Sequence, residues 1–129
     1  MIAESKERVV VVNPFIEKCP LSDMLIESNN SKEVNLLTRM PDNLRKRRYH
    51  NSLVKSGVKV HYNEHVHSKI IGVDERLAII SSMNFTPTST KGTTLEAGLV
   101  TWEKNNVEKI FDSISTTLNS VLTKKNMMK

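Results

Sequence analysis

The sequence predicts an α/β fold: a mixed, largely parallel β-sheet flanked by helices, in one domain over residues 1–129. Three observations carry this expectation. A continuous β-branched run, Arg8-Val9-Val10-Val11-Val12-Asn13, needs apolar cover on both faces and so belongs at the centre of a sheet. The segments after it alternate between helix-like and strand-like patterns, the order that builds parallel strands with right-handed crossovers. Later, two strand-like runs are separated only by Asp74-Glu75-Arg76, a link short enough to make them an antiparallel hairpin, and this mixes the sheet.

In chain order, Ser22 can cap a short helix carrying Met24, Leu25 and Ile26, which Asn29-Asn30-Ser31 ends. Val34-Asn35-Leu36-Leu37-Thr38 is the second strand. Pro41-Asp42 opens a helix through Leu44, Tyr49 and Leu53, and Gly57 stands where a left-handed C-terminal cap is expected. Val58-Lys59-Val60-His61 follows as a strand. Residues 66–73 and 77–81 make the hairpin, residues 87–94 a Ser/Thr-rich loop, and residues 94–102 a further strand. Beyond Asn105, the residues Val107, Ile110, Phe111, Ile114, Leu118, Val121 and Leu122 keep helical spacing on one face. Asn105 with Glu108 resembles a capping box, and Lys124-Lys125 suits the negative end of the helix dipole.

Composition narrows the function. With 38% hydrophobic and 26% charged residues the chain reads as a globular protein, and its apolar runs are far too short to span a bilayer. The start of the chain alternates charge and lacks the apolar stretch of an export signal, so a cytoplasmic location is expected. Cys19 is the only cysteine, which excludes an intrachain disulfide and suits a reducing compartment; it reads as a small core hydrophobe. A net charge of +5 favours an anionic partner, with nucleic acid ahead of an anionic lipid surface. Arg45-Lys46-Arg47-Arg48 is a dense basic run that can contact a nucleic-acid backbone or form a solvated helix face. Trp102, Ile110 and Phe111 read as core, since aromatics at 5% argue against an extensive base-stacking platform. His50 reads as a surface residue.

The chemistry-bearing stretch is His65-Val66-His67-Ser68-Lys69-Ile70-Ile71-Gly72-Val73-Asp74, followed by Leu77-Ala78-Ile79-Ile80-Ser81-Ser82-Met83-Asn84. On strands, residues two apart share a face, which would group His67 with Lys69, and Ser82 with Asn84. Those groups suit a phosphodiester: Lys69 and Asn84 to hold nonbridging oxygens, Ser82 to add a hydrogen bond, His67 to attack or to move protons. No metal ligands are required, although His61, His65 and His67 could alternatively be read as a zinc cluster.

His67-x-Lys69, four residues, Asp74, six residues, then Ser81-Ser82-x-Asn84 resembles the H-x-K-x4-D-x6-G-S-x-N signature of the phospholipase D superfamily, in particular its small single-motif endonucleases. Ser81 departs from the family glycine. The resemblance implies a phospholipase D-like domain in which His67 forms a phosphohistidine, or protonates the leaving oxygen and later activates water. It implies that Glu96, in Leu95-Glu96-Ala97, is the acid that orients the histidine. Asp74 reads as structural, away from the phosphate. One histidine cannot do both jobs at once and the chain has no second H-x-K, so the resemblance implies a homodimer with the active site on its two-fold axis. The expected function is therefore a nuclease or related phosphodiesterase without metal or other cofactor and without stable membrane insertion. Its rivals are a phospholipid phosphodiesterase, a non-catalytic nucleic-acid-binding module, and half of a longer two-motif enzyme.

Overall fold

The computed structural model describes residues 7–90 and 95–127, with side chains as far as residue 118. Six strands form one sheet in the order β3-β2-β1-β4-β5-β6. They are β1 (Arg8–Val12), β2 (Glu33–Thr38), β3 (Lys59–Tyr62), β4 (Ile70–Val73), β5 (Leu77–Ser81) and β6 (Gly98–Thr101). The helices are α1 (Pro20–Ser28), α2 (Leu44–Lys55), the short α3 (Pro87–Thr90) and α4 (Lys104–Met127). The sheet is mixed as expected. Its parallel pairings are β1 with β2 and β2 with β3, while β4, β5 and β6 add antiparallel to β1 and to one another.

The valine run earns its central place by burying both faces. Val9 and Val11 join Leu25, Val34, Leu36 and Leu53 beneath α1 and α2, whereas Val10 and Val12 pack with Val107, Phe111 and Ile114 of α4. At roughly 1.5–3 kcal/mol for each large aliphatic side chain buried, this double layer is the main cohesive term. Cys19 lies in the first cluster, as expected of a small hydrophobe. α4 shows the one-sided apolar face that its spacing predicts; the side chains of Val121, Leu122, Lys124 and Lys125 lie outside the described residues, as do residues 91–94.

Local signals were displaced by a residue or a few. α1 is capped at Cys19, and Ser22 sits inside the first turn, accepting from the Cys19 N–H at 3.0 Å and donating to the Glu17 carbonyl at 2.6 Å. α2 begins at Leu44 because the Asn43 side chain caps it, accepting from the Lys46 N–H at 2.9 Å. α4 already begins at Lys104, so Asn105 is a helix residue and not its cap. Gly57 does adopt the positive φ, +103°, of a left-handed helix end. The hairpin turn bonds the Arg76 N–H to the Val73 carbonyl with positive φ at both Asp74 and Glu75, as in a type I′ turn.

Two side chains are placed against expectation. His50 is 2% exposed, because α2 turns it inward over the β1–α1 connection. Trp102 is 75% exposed, since it follows the edge strand β6 and precedes the part of α4 that packs on the sheet. Among the described residues, no helix is long and apolar enough to cross a membrane.

Gly72 marks the tightest approach of α4 to the sheet: a Cβ there would come within 2.6 Å of Phe111 Cζ. Gly72→Val is therefore expected to destabilise the fold by about 1–3 kcal/mol, read as a lowered midpoint in urea unfolding. Pairing it with Phe111→Leu should recover part of that loss.

Candidate active site

β4 runs antiparallel to β1 with Val12 opposite Ile70, so the segment entering β4 and the segment leaving β5 both emerge where β1 ends. All the signature residues except Asp74 lie at this end. Regular pairing starts only at Ile70 and stops at Ser81, however, so His67, Lys69, Ser82 and Asn84 sit on irregular chain and not on strands. Strand parity consequently does not position them. Hydrogen bonds do: the Ser81 N–H donates to the Lys69 carbonyl at 3.0 Å, and the Ser82 N–H to the Ala97 carbonyl at 2.9 Å.

Ser82 and Glu96 are brought into direct contact. The Ser82 hydroxyl donates to Glu96 Oε2 at 2.5 Å and accepts from the Ala97 N–H at 3.0 Å, while the Ser89 hydroxyl donates to Glu96 Oε1 at 3.1 Å. Ser89 also accepts from the Asn84 N–H at 3.3 Å, so one carboxylate organises the turn that carries both Ser82 and Asn84. The Asn84 Oδ1 atom is buried without a hydrogen-bond partner among the described residues. An unpaired buried acceptor costs about 1–3 kcal/mol.

His67 and Lys69 border different concavities. Lys69 and Glu96 line an apolar groove of about 320 Å³ with Ile71, Ile79, Phe85 and Val100. His67 borders a different, more polar concavity of about 420 Å³, between Asn63, His65 and the Ser113 and Thr117 hydroxyls of α4. The imidazole is exposed and has no hydrogen bond or ion pair among the described residues, and the Lys69 ammonium has no carboxylate partner there. The histidine-orienting contact expected of Glu96 is thus not among the bonds that hold its carboxylate to the two serines.

The remaining sequence-selected residues fall into place around this end or away from it. Asp74 is at the far end of β4, where its carboxylate accepts the Glu7 and Arg8 N–H groups at 2.9 Å each and ties the hairpin to β1. Ser81 lies in β5 with no positive φ, so serine in place of the family glycine introduces no strain, and its hydroxyl accepts from the Met83 N–H at 3.1 Å. Of the basic run, Lys46 is half-buried and borders a cavity between the ends of β1 and β2; Arg45, Arg47 and Arg48 are exposed along α2. Among the described residues, no three His, Cys, Asp or Glu side chains gather to hold a metal ion, His61, His65 and His67 included.

Two positioning residues were not legible in the sequence. Asn13, 1% exposed, donates to the Met83 carbonyl at 3.0 Å and accepts from the Phe15 N–H at 3.1 Å, so the end of β1 grips the Ser82–Asn84 turn. Arg39, just past β2, donates from Nε to the Val66 carbonyl at 2.7 Å and grips the segment carrying His67. Both are ordinary polar residues at strand ends, and only their burial or their long-range partners distinguish them.

A mixed sheet that presents His-x-Lys and Ser-Ser-x-Asn from one end defines a phospholipase D-like domain. A family model described as "Cardiolipin synthase, PLD-like domain" matches residues 1–118, and the chain belongs to that family. Among solved structures it is similar to Nuc from Salmonella typhimurium, a phospholipase D family member, with a TM-score of 0.81 at 17% identity over 92% of this chain and 82% of that one. NucT from Helicobacter pylori superposes with a TM-score of 0.77 at 14% identity, covering 92% and 83%. TrmBL2, an archaeal chromatin protein, gives 0.65 at 10% identity, covering 92% of this chain and 46% of that one. No curated protein sequence matches the chain.

His50 sits beneath this end of the sheet. The Ile16 carbonyl can only accept, so the imidazole donates to it from Nε2 at 2.9 Å and receives the Tyr62 hydroxyl at Nδ1, at 3.0 Å. Burial holds its pKa below the usual histidine value, with the Ile16 bond opposing and the Lys46 charge assisting. An unfolded histidine titrates near 6.5. Below that pH the unfolded chain binds the extra proton, so the contribution of His50 is complete above about pH 6.5 and is lost as pH falls toward the folded-state value. The melting temperature should therefore drop on acidification from pH 7 to 5, and His50→Gln should lower it at pH 7 while flattening that dependence.

Proposed function

We propose that the protein is a metal-independent phosphodiesterase that cleaves DNA or RNA, with its active site completed by a second copy of the chain. The observation that carries this reading is the isolation of His67: exposed and without a partner among the described residues, at the same end of the sheet as Lys69, which has no carboxylate partner among them. A site that leaves its reactive groups unsatisfied within one chain is suited to being filled by substrate and by a partner.

The proposed chemistry uses two imidazoles. An imidazole nitrogen of His67 attacks phosphorus, forming a P–N bond as the P–O bond to the leaving oxygen breaks, and the partner subunit's His67 protonates that oxygen. The partner's His67, now neutral, takes a proton from water; the hydroxide oxygen bonds to phosphorus as the P–N bond breaks, which frees His67 and leaves a phosphomonoester. Lys69 and Asn84 hold the nonbridging oxygens as charge builds on them, and Glu96, which accepts the Ser82 hydroxyl proton, fixes the turn that carries Asn84. The basic run Arg45, Lys46, Arg47 and Arg48 holds the polyanion nearby, and the net charge of +5 favours nucleic acid over lipid.

The sheet edge supports a second copy. β6 carries Leu99, 77% exposed, beside Ile80 on one face and Val100 on the other, and the latter face continues into the groove that holds Lys69 and Glu96. An uncharged apolar edge strand is a surface that proteins ordinarily cover. The DNA-binding TrmBL2 keeps a non-catalytic nucleic-acid module as the second reading.

With labelled DNA, RNA and phospholipid in excess chelator, cleavage of nucleic acid is expected, and His67→Asn should reduce it by about a thousandfold or more while oligonucleotide binding persists. Loss of cleavage in chelator, or full activity in His67→Asn, refutes the mechanism. Leu99→Glu, on an exposed edge that folding does not need, should convert a dimer to a monomer in sedimentation velocity and reduce cleavage in parallel. A wild-type protein that sediments as an active monomer rules out the shared site.

A further inference from the structure

We propose that the cavity between the ends of β1 and β2 is a nucleotide subsite, in which Phe15 stacks a base and Arg39 holds the phosphate adjoining the one attacked. It deepens the nuclease reading and rests on it for the adjacency of the two phosphates.

The cavity measures about 230 Å³ and is lined by Pro14, Phe15, Arg39, Met40, Lys46 and His50, with Glu17 and Asp42 also bordering it. It opens at the carboxyl ends of two parallel strands, where open α/β sheets place their ligands. Phe15 is 47% exposed, unusual for a phenyl ring in a short connection. Its backbone is held by the buried Asn13 side chain, which accepts the Phe15 N–H at 3.1 Å. A solvent-facing ring on an anchored backbone offers a face on which a nucleobase can stack.

Arg39 completes the subsite. Its guanidinium carbon lies 5.6 Å from the centroid of the Phe15 ring, and only its Nε–H is used, on the Val66 carbonyl. The four N–H groups of its terminal nitrogens have no acceptor, and the charge no carboxylate, among the described residues. Asp42 is already engaged, 3.7 Å from Lys46. The cavity therefore attracts an anion through Arg39 locally and not through net charge. Val66 immediately precedes His67, so Arg39 is anchored to the segment that carries His67, and this is the ground for assigning its phosphate to the neighbouring nucleotide. A planar fork of free donors beside an exposed ring matches a phosphate followed by a base.

The test is fluorescence anisotropy of a labelled single-stranded oligonucleotide in a His67→Asn background, together with hydrolysis of bis(p-nitrophenyl) phosphate and of the oligonucleotide by chains with native His67. Phe15→Ala should weaken oligonucleotide binding by about tenfold and Phe15→Trp restore it, with the salt dependence unchanged. Arg39→Met should weaken binding and reduce the slope of log affinity against log salt by about 0.7, the loss of one phosphate contact to a single strand. Phe15→Ala should lower kcat/KM for the oligonucleotide by a larger factor than kcat/KM for bis(p-nitrophenyl) phosphate.

Unchanged affinity and slope in Phe15→Ala and Arg39→Met, with oligonucleotide cleavage intact in native His67, overturn the subsite and leave the nuclease reading standing. Absence of cleavage in native His67 alongside the predicted binding losses overturns the nuclease reading and leaves the subsite as a nucleic-acid contact. A loss of binding in Phe15→Ala that appears with anionic phospholipid vesicles but not with the oligonucleotide overturns the proposal in favour of a lipid headgroup.

Discussion

The antiparallel docking of β4 against β1 governs the rest of the molecule. By setting Ile70 opposite Val12, it delivers the segment before β4 and the segment after β5 to the place where β1 ends. The register is stiff, because β1 is buried on both faces and a slip of one residue would exchange the clusters under α1 and α2 with the cluster under α4. Asp74 reinforces it from the opposite end by holding the amides of Glu7 and Arg8. The chemistry-bearing residues are thus hung from a rigid frame on short lengths of irregular chain.

Irregular backbone must find its hydrogen bonds elsewhere, and here polar side chains supply them. Asn13 links the end of β1 to the turn carrying Ser82 and Asn84, and Arg39 links the end of β2 to the segment carrying His67. Glu96 adds a third tie through Ser82 and Ser89. The strand ends thereby fix the site without contributing to its reactive set.

A single chain leaves this site open. His67 and Lys69 border separate concavities, the Asn84 oxygen is unsatisfied among the described residues, and the β6 edge next to the Lys69 groove is apolar and exposed. A two-fold partner and a polyanionic substrate together answer all three features under the function proposed here. The Phe15–Arg39 cavity extends the same end of the sheet in the direction that a strand of nucleic acid would take.

The residues legible in advance were those whose role is local. Periodicity located the central valine strand, the hairpin at Asp74 and the packed face of α4, because covering one face or two leaves a direct pattern in sequence. The spacing from His67 to Asn84 identified the family. Tertiary structure alone decided the rest. Strand parity grouped His67 with Lys69, yet pairing begins only at Ile70, so parity is not what positions them; His50 read as surface, yet α2 turns it into the core; Trp102 read as core, yet beside the edge strand it is 75% exposed. Asn13, Phe15 and Arg39 acquired meaning only through partners distant in the chain. Sequence pattern records what a segment needs from its own neighbours, whereas burial and long-range hydrogen bonds depend on which surfaces the fold brings together.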